Sequence, residues 1–388
     1  MHHAVIRVSG LVIGFAVVSA SMLAARAANE PYLVGVVVSQ SGPASTLGRP
    51  AADSVELAAN EINAAGGVNG HPLVVKPILD DESKPTEAVN AMRKLLDQHP
   101  VAVIGSSGTP TSLAMIPLAT AAEVPLISLG SSSLIIDPVS EHKWIFKIPV
   151  ADTYIARRLL QPLAARKLTR IAVVYRDDDY GKSGFARLEE NGKNLGVHIV
   201  DAEAIAATAT DATTQLTHVK ASNPQAVVVW TTLPSALVVL KGYRELNLPY
   251  PLFYSEGSAN QVFLAQAGNA ADGVIFATEK GAAADAVPAS DPQKKVLMHY
   301  ATEFARQYPK DGPPGIFGGF GYDGVYVAAA GLRASRGSGG AKLRDALEHV
   351  TYTGVSGVFR LSPSDHNGLG MDAVELVRAE NGKFVLAR

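Results

Sequence analysis

The chain has 388 residues, of which 47% are hydrophobic and only 6% aromatic, and it contains no cysteine. The formal net charge is −2 and both signs are scattered along the chain, so no basic face is available and a nucleic-acid partner is not expected. Without cysteine, neither a disulfide nor a lipidated cysteine anchor can form.

The first residues have the order of parts that is typical of a secretory signal peptide. A weakly basic start is followed by the apolar run 11–18 and by Ala25-Arg26-Ala27, a small-x-small cleavage site. The apolar run is shorter than the roughly 20 residues that span a bilayer. We therefore predict that residues 1–27 are a signal peptide cleaved near Ala27, and that the protein is periplasmic and not a lipoprotein. The remaining length of about 360 residues suits two lobes better than one core.

After the leader, strand-like and helix-like segments alternate. The strand-like segments are continuous apolar runs, as expected of parallel strands buried on both faces. The predicted strands are Tyr32–Val38, Leu73–Leu79, Val101–Ile104, Pro125–Leu129 and Ile145–Ile148. The predicted helices are Pro50–Asn63, Thr86–Gln98 and one from about Ser112.

The same alternation then repeats, with a break near Pro149. The second set of predicted strands is Ile171–Tyr175, His198–Ala204, Ala226–Trp230, Leu252–Tyr254 and Gly273–Thr278. The predicted helices are Tyr154–Arg166, Gly184–Leu195, Thr213–Ala221 and one that ends at Leu246, followed by Lys294–Gln307, Gly321–Arg333 and Lys342–Val350. A β ending follows, with strands Val355–Leu361, Ala373–Arg378 and Phe384–Leu386 and a hairpin turn at Asn381-Gly382. We predict an α/β fold of two doubly wound parallel-sheet lobes.

Catalytic patterns are tested and rejected. Gly181-Lys182-Ser183 resembles the end of a P-loop, but Arg176 stands where the first glycine must be. No pair of histidines has metal-binding spacing outside the leader, and no cysteine completes a zinc site. We expect no enzymatic activity, no cofactor and no metal.

An ordered set of motifs along the chain resembles the periplasmic branched-chain amino-acid binding proteins, which serve ABC transporters. The motifs are Ser39-Gln40-Ser41-Gly42-Pro43, Asn60-Glu61-Ile62-Asn63-Ala64-Ala65-Gly66-Gly67, Asp80-Asp81, Val103-Ile104-Gly105-Ser106-Ser107, Val124-Pro125-Leu126-Ile127-Ser128, Tyr180-Gly181 and Gly273-Val274-Ile275-Phe276. The resemblance implies a type I periplasmic binding fold, with three crossovers near Pro149, Thr278 and Thr351. Residues 28–149 and 279–351 would then form lobe 1, and residues 150–278 and 352–388 lobe 2.

The resemblance also implies a ligand site between the lobes. Ser106 and Ser107, with Ser131 and Ser132, match two loops that offer hydroxyl and amide donors to a ligand carboxylate. Donors of this kind can hold an anion without a full positive charge, although a serine at a helix start also serves as an N-cap.

On the second lobe, Tyr180 and Thr231 match positions at the cleft, and Glu256 matches an acidic residue that meets the substrate ammonium in amino-acid binders. Glu256 therefore favours a zwitterionic ligand. Leu47 departs from the family pattern, in which some members have a large aromatic residue, and would leave a roomier apolar pocket.

The sequence thus predicts a monomeric binding protein that delivers a small amino acid, with an aliphatic or other apolar side chain, to an ABC permease of the inner membrane. Two alternatives stay open. The same scaffold could bind an aromatic or other carboxylic acid, for which the departure at Leu47 speaks, or it could be a periplasmic ligand sensor, since a fold does not fix a function.

Overall fold

A computed structural model describes residues 30–310 and 312–387, so the predicted signal peptide and its cleavage site lie outside the described residues. The strands of the described part form two large sheets and one separate hairpin. None of the helices in this part combines the length and the apolar character that crossing a membrane requires.

The first sheet is entirely parallel and has the order β2-β1-β4-β5-β6, with β3 also pairing with β1. Its strands are β1 Tyr32–Val38, β2 Leu73–Val74, β3 Ile78–Asp80, β4 Ala102–Gly105, β5 Leu126–Ser128 and β6 Ile145–Lys147. The prediction of one strand over Leu73–Leu79 was wrong, because the ladder is interrupted between β2 and β3. Pro77 lies in this gap and has no N–H to donate to a neighbouring strand.

Helices α1 Ser45–Ala64, α2 Pro85–Leu96 and α3 Thr109–Ala122 connect the strands of this sheet. Helix α1 begins five residues before the predicted start at Pro50, which lies inside the helix. The first turn contains Gly48, where a Cβ would lie 2.0 Å from the carbonyl oxygen of Ser39. The helix start can therefore approach the loop after β1 closely, which places Leu47 beside that loop.

The second sheet has the order β15-β14-β11-β10-β9-β7-β8. Its parallel part consists of β7 Arg170–Arg176, β8 His198–Ile205, β9 Ala226–Trp230, β10 Leu252–Tyr254 and β11 Ile275–Glu279. Helices α4 Asp152–Ala165, α5 Asp179–Leu195, α6 Thr213–Ala221, α7 Ser235–Glu245 and α8 Gln261–Ala267 accompany these strands. The antiparallel edge is the hairpin of β14 Val374–Glu380 and β15 Lys383–Leu386, which turns at Asn381 and Gly382 with φ of 51° and 73°.

After β11 the chain returns to the helices that flank the first sheet. Helices α9 Lys294–Gln307, α10 Gly315–Ala334 and α11 Gly340–Leu347 follow β11, and α10 packs along α1. The two-stranded hairpin of β12 Thr351–Thr353 and β13 Val358–Arg360 comes next. The buried carboxylate of Asp323 in α10 accepts hydrogen bonds from the N–H groups of Val355 and Ser356 at 2.9 and 2.7 Å, which fixes the hairpin on the helix.

The residues that follow this hairpin in the sequence, His366 and Asn367, indicate where the third crossover lies. The carbonyl of His366 accepts a hydrogen bond from the N–H of Lys147 at 3.0 Å, and the Asn367 amide donates to the carbonyls of Lys147 and Pro149 at 3.0 and 2.8 Å. These residues therefore lie against the last strand of the first sheet. We propose that the third crossover runs between Gly368 and Val374 rather than near Thr351.

Candidate functional site

A narrow cavity of about 20 Å³ lies between the two lobes, at the carboxyl ends of their parallel strands. Open α/β sheets bind their ligands at this edge. The first lobe contributes Leu47, Ser107, Gly108, Thr109, Leu129, Ser131 and Phe317. The second lobe contributes Arg176, Tyr180, Thr232 and Gly257.

The structure brings the eight predicted ligand residues together around this cavity in two layers. Leu47, Ser107, Ser131 and Tyr180 line it directly. The other four, Ser106, Ser132, Thr231 and Glu256, are each fully buried immediately next in sequence to a lining residue. This second layer contacts the lining residues or holds their loops, as the hydrogen bonds show.

The loop after β4 separates the roles of its two serines. Ser106 donates its hydroxyl to the buried carboxylate of Asp81 and accepts a hydrogen bond from the Thr111 hydroxyl at 2.8 Å, so its side chain is engaged inside the lobe. Ser107 accepts a hydrogen bond from the N–H of Ser39 at 3.3 Å and faces the cavity. Thr109, the first residue of α3, lines the cavity as well, and the N-terminus of a helix favours negative charge.

The loop after β5 also has one serine at the cavity and one behind it. Ser131 lines the cavity, and its carbonyl accepts a hydrogen bond from the Lys147 ammonium at 3.2 Å. Ser132 caps the short 3₁₀ helix Ser133–Ile135 and donates its hydroxyl to that of Ser183 in α5 at 2.7 Å. Ser183 in turn donates to the carboxylate of Asp152 at the start of α4. The Ser132 hydroxyl therefore joins the first lobe to the second.

On the second lobe, Tyr180 and Glu256 form one unit. The Tyr180 hydroxyl lies 2.9 Å from the Ser255 hydroxyl and donates to Oε1 of Glu256 at 3.0 Å. Burial, with a further contribution from the nearby Glu279 carboxylate, raises the pKa of Glu256 to about 8. Within the described part of the chain, Glu256 Oε2 and the hydroxyl of Thr231 have no hydrogen-bond partner. Both groups lie directly behind the lining residues Thr232 and Gly257.

Two further buried charges lie at strand ends near the predicted first and second crossovers. Glu279, at the end of β11, accepts a hydrogen bond from the N–H of Val150 at 3.2 Å, and burial raises its pKa to about 7. Burial lowers the pKa of Lys147, at the end of β6, to about 8, and its ammonium also donates to the carbonyl of Pro149 at 2.6 Å. Sequence reasoning did not single out these residues, although a charged residue that ends a buried apolar strand is a signal that could have found them.

Arg176 at the end of β7 is another lining residue that the sequence did not identify as part of a site. The residue is 8% exposed and shows the same sequence signal, a charge at the end of an apolar strand. Its guanidinium forms an ion pair with Asp178 at 2.5 Å, donates to the Thr232 hydroxyl and lies 5.4 Å from the centre of the Tyr180 ring.

The apolar part of the wall belongs to the first lobe. Leu47, Leu129 and Phe317 line the cavity, and Ala51 and Phe320 extend this surface inwards. Such a surface buries a hydrophobic group of a ligand, whereas the polar loops on both sides fix its orientation. Over residues 30–310 and 312–387, no three His, Asp or Glu side chains are grouped so that they could hold a metal ion.

A small cavity that closes between two α/β lobes, with polar donors on both and an apolar wall on one, is the site of a protein that binds a small solute between its lobes. The model of the periplasmic binding protein family matches residues 31–383, and the chain belongs to this family. The family is made of substrate-binding transport proteins and not of enzymes, so the predicted family, fold class and lack of catalysis are confirmed.

Known proteins are similar to most of the chain. The Leu/Ile/Val/Thr-binding protein of Salmonella typhimurium is 30% identical over 276 residues, 67% of this chain and 70% of its own length. The Leu/Ile/Val-binding protein of Escherichia coli K12 is 28% identical over 324 residues, 79% of this chain and 80% of its own length. The crystal structure of an extracellular ligand-binding receptor from Rhodopseudomonas palustris HaA2 has a TM-score of 0.86 at 26% identity, covering 92% of this chain and 99% of the receptor.

Proposed function

We propose that this protein is exported to the periplasm, captures a small amino acid with an apolar side chain between its lobes and delivers it to an ABC permease. The observation that carries the amino-acid assignment is Glu256. A buried carboxyl group with one unpartnered oxygen is a poor arrangement for an empty protein and a good one for a ligand that brings an ammonium group.

The remaining contacts follow from the walls of the cavity. The ligand carboxylate lies at the loops of Ser107 and Ser131, where hydroxyls and the start of α3 offer donors. The side chain packs on Leu47, Leu129 and Phe317. The curated relatives, named as Leu/Ile/Val-binding proteins, support an apolar side chain, and the family supports periplasmic capture for transport.

Ligand binding drives the closure of the two lobes in this proposal. The ligand contacts both lobes only when they meet, so it binds the closed arrangement more tightly and shifts the population towards it. The bond between Ser132 and Ser183 is one contact that exists only while the lobes meet. No chemical step is required, and the closed shape is what the permease receives.

A thermal-shift screen tests this proposal. The purified protein, unfolded and refolded to remove carried ligand, is mixed with leucine, isoleucine, valine, threonine and the matching acids without the amine. We expect aliphatic amino acids to raise the melting temperature, because a ligand that binds only the folded state stabilises it by mass action. Glu256→Gln should abolish the shift, whereas Glu189→Gln, at an exposed position of α5, should leave it unchanged.

One observation favours a second candidate ligand class. With a pKa of about 8, Glu256 is largely protonated at neutral pH in the empty cavity, and a neutral carboxyl group does not repel an acid that lacks an amine. A shift with carboxylic acids alone, unaffected by Glu256→Gln, would replace the amino-acid assignment with this one.

A further inference from the structure

Arg176 carries hydrogen-bonding capacity that the protein itself does not use. A guanidinium has five N–H donors. One nitrogen forms the ion pair with Asp178 and another donates to Thr232, and within the described residues Nε has no hydrogen-bond partner although nine-tenths of the side chain is buried. An unpaired buried donor is unfavourable, so this arrangement is expected where a ligand supplies the missing acceptor.

The guanidinium is held in place before any ligand arrives. Asp178 fixes one side of it and is itself fixed, because its other oxygen caps α5 by accepting a hydrogen bond from the N–H of Gly181 at 3.1 Å. Thr232 fixes another edge, and the Tyr180 ring lies against it. A side chain with three such supports loses little conformational freedom when it binds an acceptor.

The acceptor that fits this position best is a carboxylate. A guanidinium matches a carboxylate in both charge and geometry, more closely than it matches a neutral oxygen. The first-lobe wall of the same cavity has a polar part and an apolar part. The polar part, formed by Ser107, Thr109 and Ser131, favours an anion. The apolar part, formed by Leu47, Leu129 and Phe317, does not. The polar parts of the two walls therefore select the same end of the ligand.

We propose that Arg176 binds the ligand carboxylate from the second lobe and determines specificity for it, so that the carboxylate is held from both lobes when the cleft closes. This inference rests on the proposed function for the assignment of the ligand as an amino acid. It makes the carboxylate the group that links the lobes, and the ammonium at Glu256 a contact within the second lobe.

The experiment compares three probes that differ by one group each, namely L-leucine, L-leucinamide without the carboxylate charge, and 4-methylpentanoate without the amine. Calorimetric dissociation constants are measured for the wild type and for Arg176→Met, Arg176→Lys and Glu256→Gln. Arg166→Met, at an exposed position of the same lobe, is the control. Melting curves confirm that each variant is folded.

We expect Arg176→Met to weaken both carboxylate probes by about 100-fold, the scale for loss of one partner of a buried charge pair. Leucinamide should change less than about 3-fold, within the range of Arg166→Met. Arg176→Lys should be intermediate, because it keeps the charge and loses the planar fork. Glu256→Gln should weaken leucine and leave 4-methylpentanoate unchanged.

The two proposals fail in different ways. Leucine binding that depends on Glu256 but is equal in wild type and Arg176→Met would overturn the role of Arg176 and leave the amino-acid function standing. Binding of 4-methylpentanoate alone, lost in Arg176→Met, would overturn the amino-acid function and support Arg176. If none of the carboxylates bound the wild type, both would be contradicted.

Discussion

At the scale of single residues, charged groups that line the cavity or lie near it are buried. Glu256, Glu279 and Arg176 are each less than a tenth exposed. Arg176 and Glu279 end strands of the second sheet, and Glu256 is the second residue after β10. Burial of such groups opposes the charged form of a carboxyl, and their pKa values move accordingly. Burial of these groups is unfavourable in itself, and a ligand of the right charge removes part of this penalty.

This argument predicts how pH acts on Glu256. Its pKa is raised from 4.5 to about 8 in the folded protein, so between these values the folded state holds a proton that the unfolded chain has released. The free energy of unfolding therefore falls as pH rises from about 4.5 to 8, because the folded protein must give up this proton at a higher pH than the unfolded chain does. Glu256→Gln has no charge to desolvate, and we expect it to melt a few degrees above the ligand-free wild type at pH 8 but within about 1 °C at pH 4.5.

Differential scanning calorimetry from pH 4.5 to 8.5 measures this difference. The matched control is Glu189→Gln, whose exposed carboxyl should leave the pH profile parallel to that of the wild type. Parallel profiles for Glu256→Gln as well would show that Glu256 is ionised in the empty cavity. In that event the raised pKa would no longer favour the alternative ligand class.

At the scale of secondary-structure elements, helix α5 illustrates how packing overrides local preference. Gly184 lies in its second turn, where a Cβ would be 2.0 Å from the Trp230 ring of β9. Alanine is the better helix former by about 0.5–1 kcal/mol, so helix propensity alone would make Gly184→Ala stabilising. Insertion of a methyl group into a filled contact costs about 1–3 kcal/mol, and it forces the helix or the indole to move.

We therefore expect Gly184→Ala to lower the free energy of unfolding by about 1–2 kcal/mol, as measured by urea denaturation. Lys182→Ala on the exposed face of the same helix removes only a surface ion pair with Asp177 and should change it by less than about 0.5 kcal/mol. A more stable Gly184→Ala would show that the contact between α5 and β9 can expand at no cost.

The balance between local sequence preference and packing also explains which elements the sequence could predict. Thr213–Ala221, Ala226–Trp230, Leu252–Tyr254 and Lys294–Gln307 have the predicted bounds, because their apolar pattern is uninterrupted between turn residues. Helix α8 was not predicted, since it is seven residues long and begins at the side-chain cap of Asn260. Strand β12 was also not predicted, because it is half exposed and depends on pairing with β13.

The site was predictable where a motif marks a loop and not where a single side chain reaches in from a strand end. Ser107 and Ser131 belong to loops, and Tyr180 to the start of α5, that have a recognisable sequence, and all three line the cavity. Arg176 and Thr232 are ordinary in sequence, and only the fold brings them beside Tyr180. Phe317 enters the site from α10. It lies more than 200 residues after Leu47 in the sequence, and no local pattern signals that the two residues line the same cavity.

At the scale of the whole molecule, hydrogen bonds near Pro149 link the three segments that we propose as crossovers between the lobes. The N–H of Val150, in the proposed first crossover, donates to Glu279, at the start of the proposed second, at 3.2 Å. Asn367, just before the proposed third crossover, donates to the carbonyl of Pro149 at 2.8 Å. Hinges act at a few residues that absorb changes in φ and ψ. If these segments are the crossovers, rotation at one of them strains the others, and we expect the lobes to open and close as one motion.

Asn367→Ala tests this coupling. The variant loses both bonds from the amide, to Lys147 and to Pro149, and we expect it to lower the free energy of unfolding by about 1–3 kcal/mol. If the bonds belong to the closed arrangement, their loss also shifts the population towards open lobes. The radius of gyration from small-angle X-ray scattering should then rise, and leucine should bind several-fold more weakly without any change in its preference over leucinamide.

Asn191→Ala is the matched control, since that amide bonds to Thr153 and Arg187 within the second lobe alone and should lower stability without changing the radius or the affinity. If Asn367→Ala behaved in the same way, the bond to Pro149 would persist in both arrangements and would serve only to hold the third crossover in place. Closure would then depend on the contacts inside the cleft, the bond from Ser132 to Ser183 and the carboxylate at Arg176, and not on the crossovers. A changed radius with unchanged stability would instead place the whole effect of Asn367 in the balance between open and closed lobes.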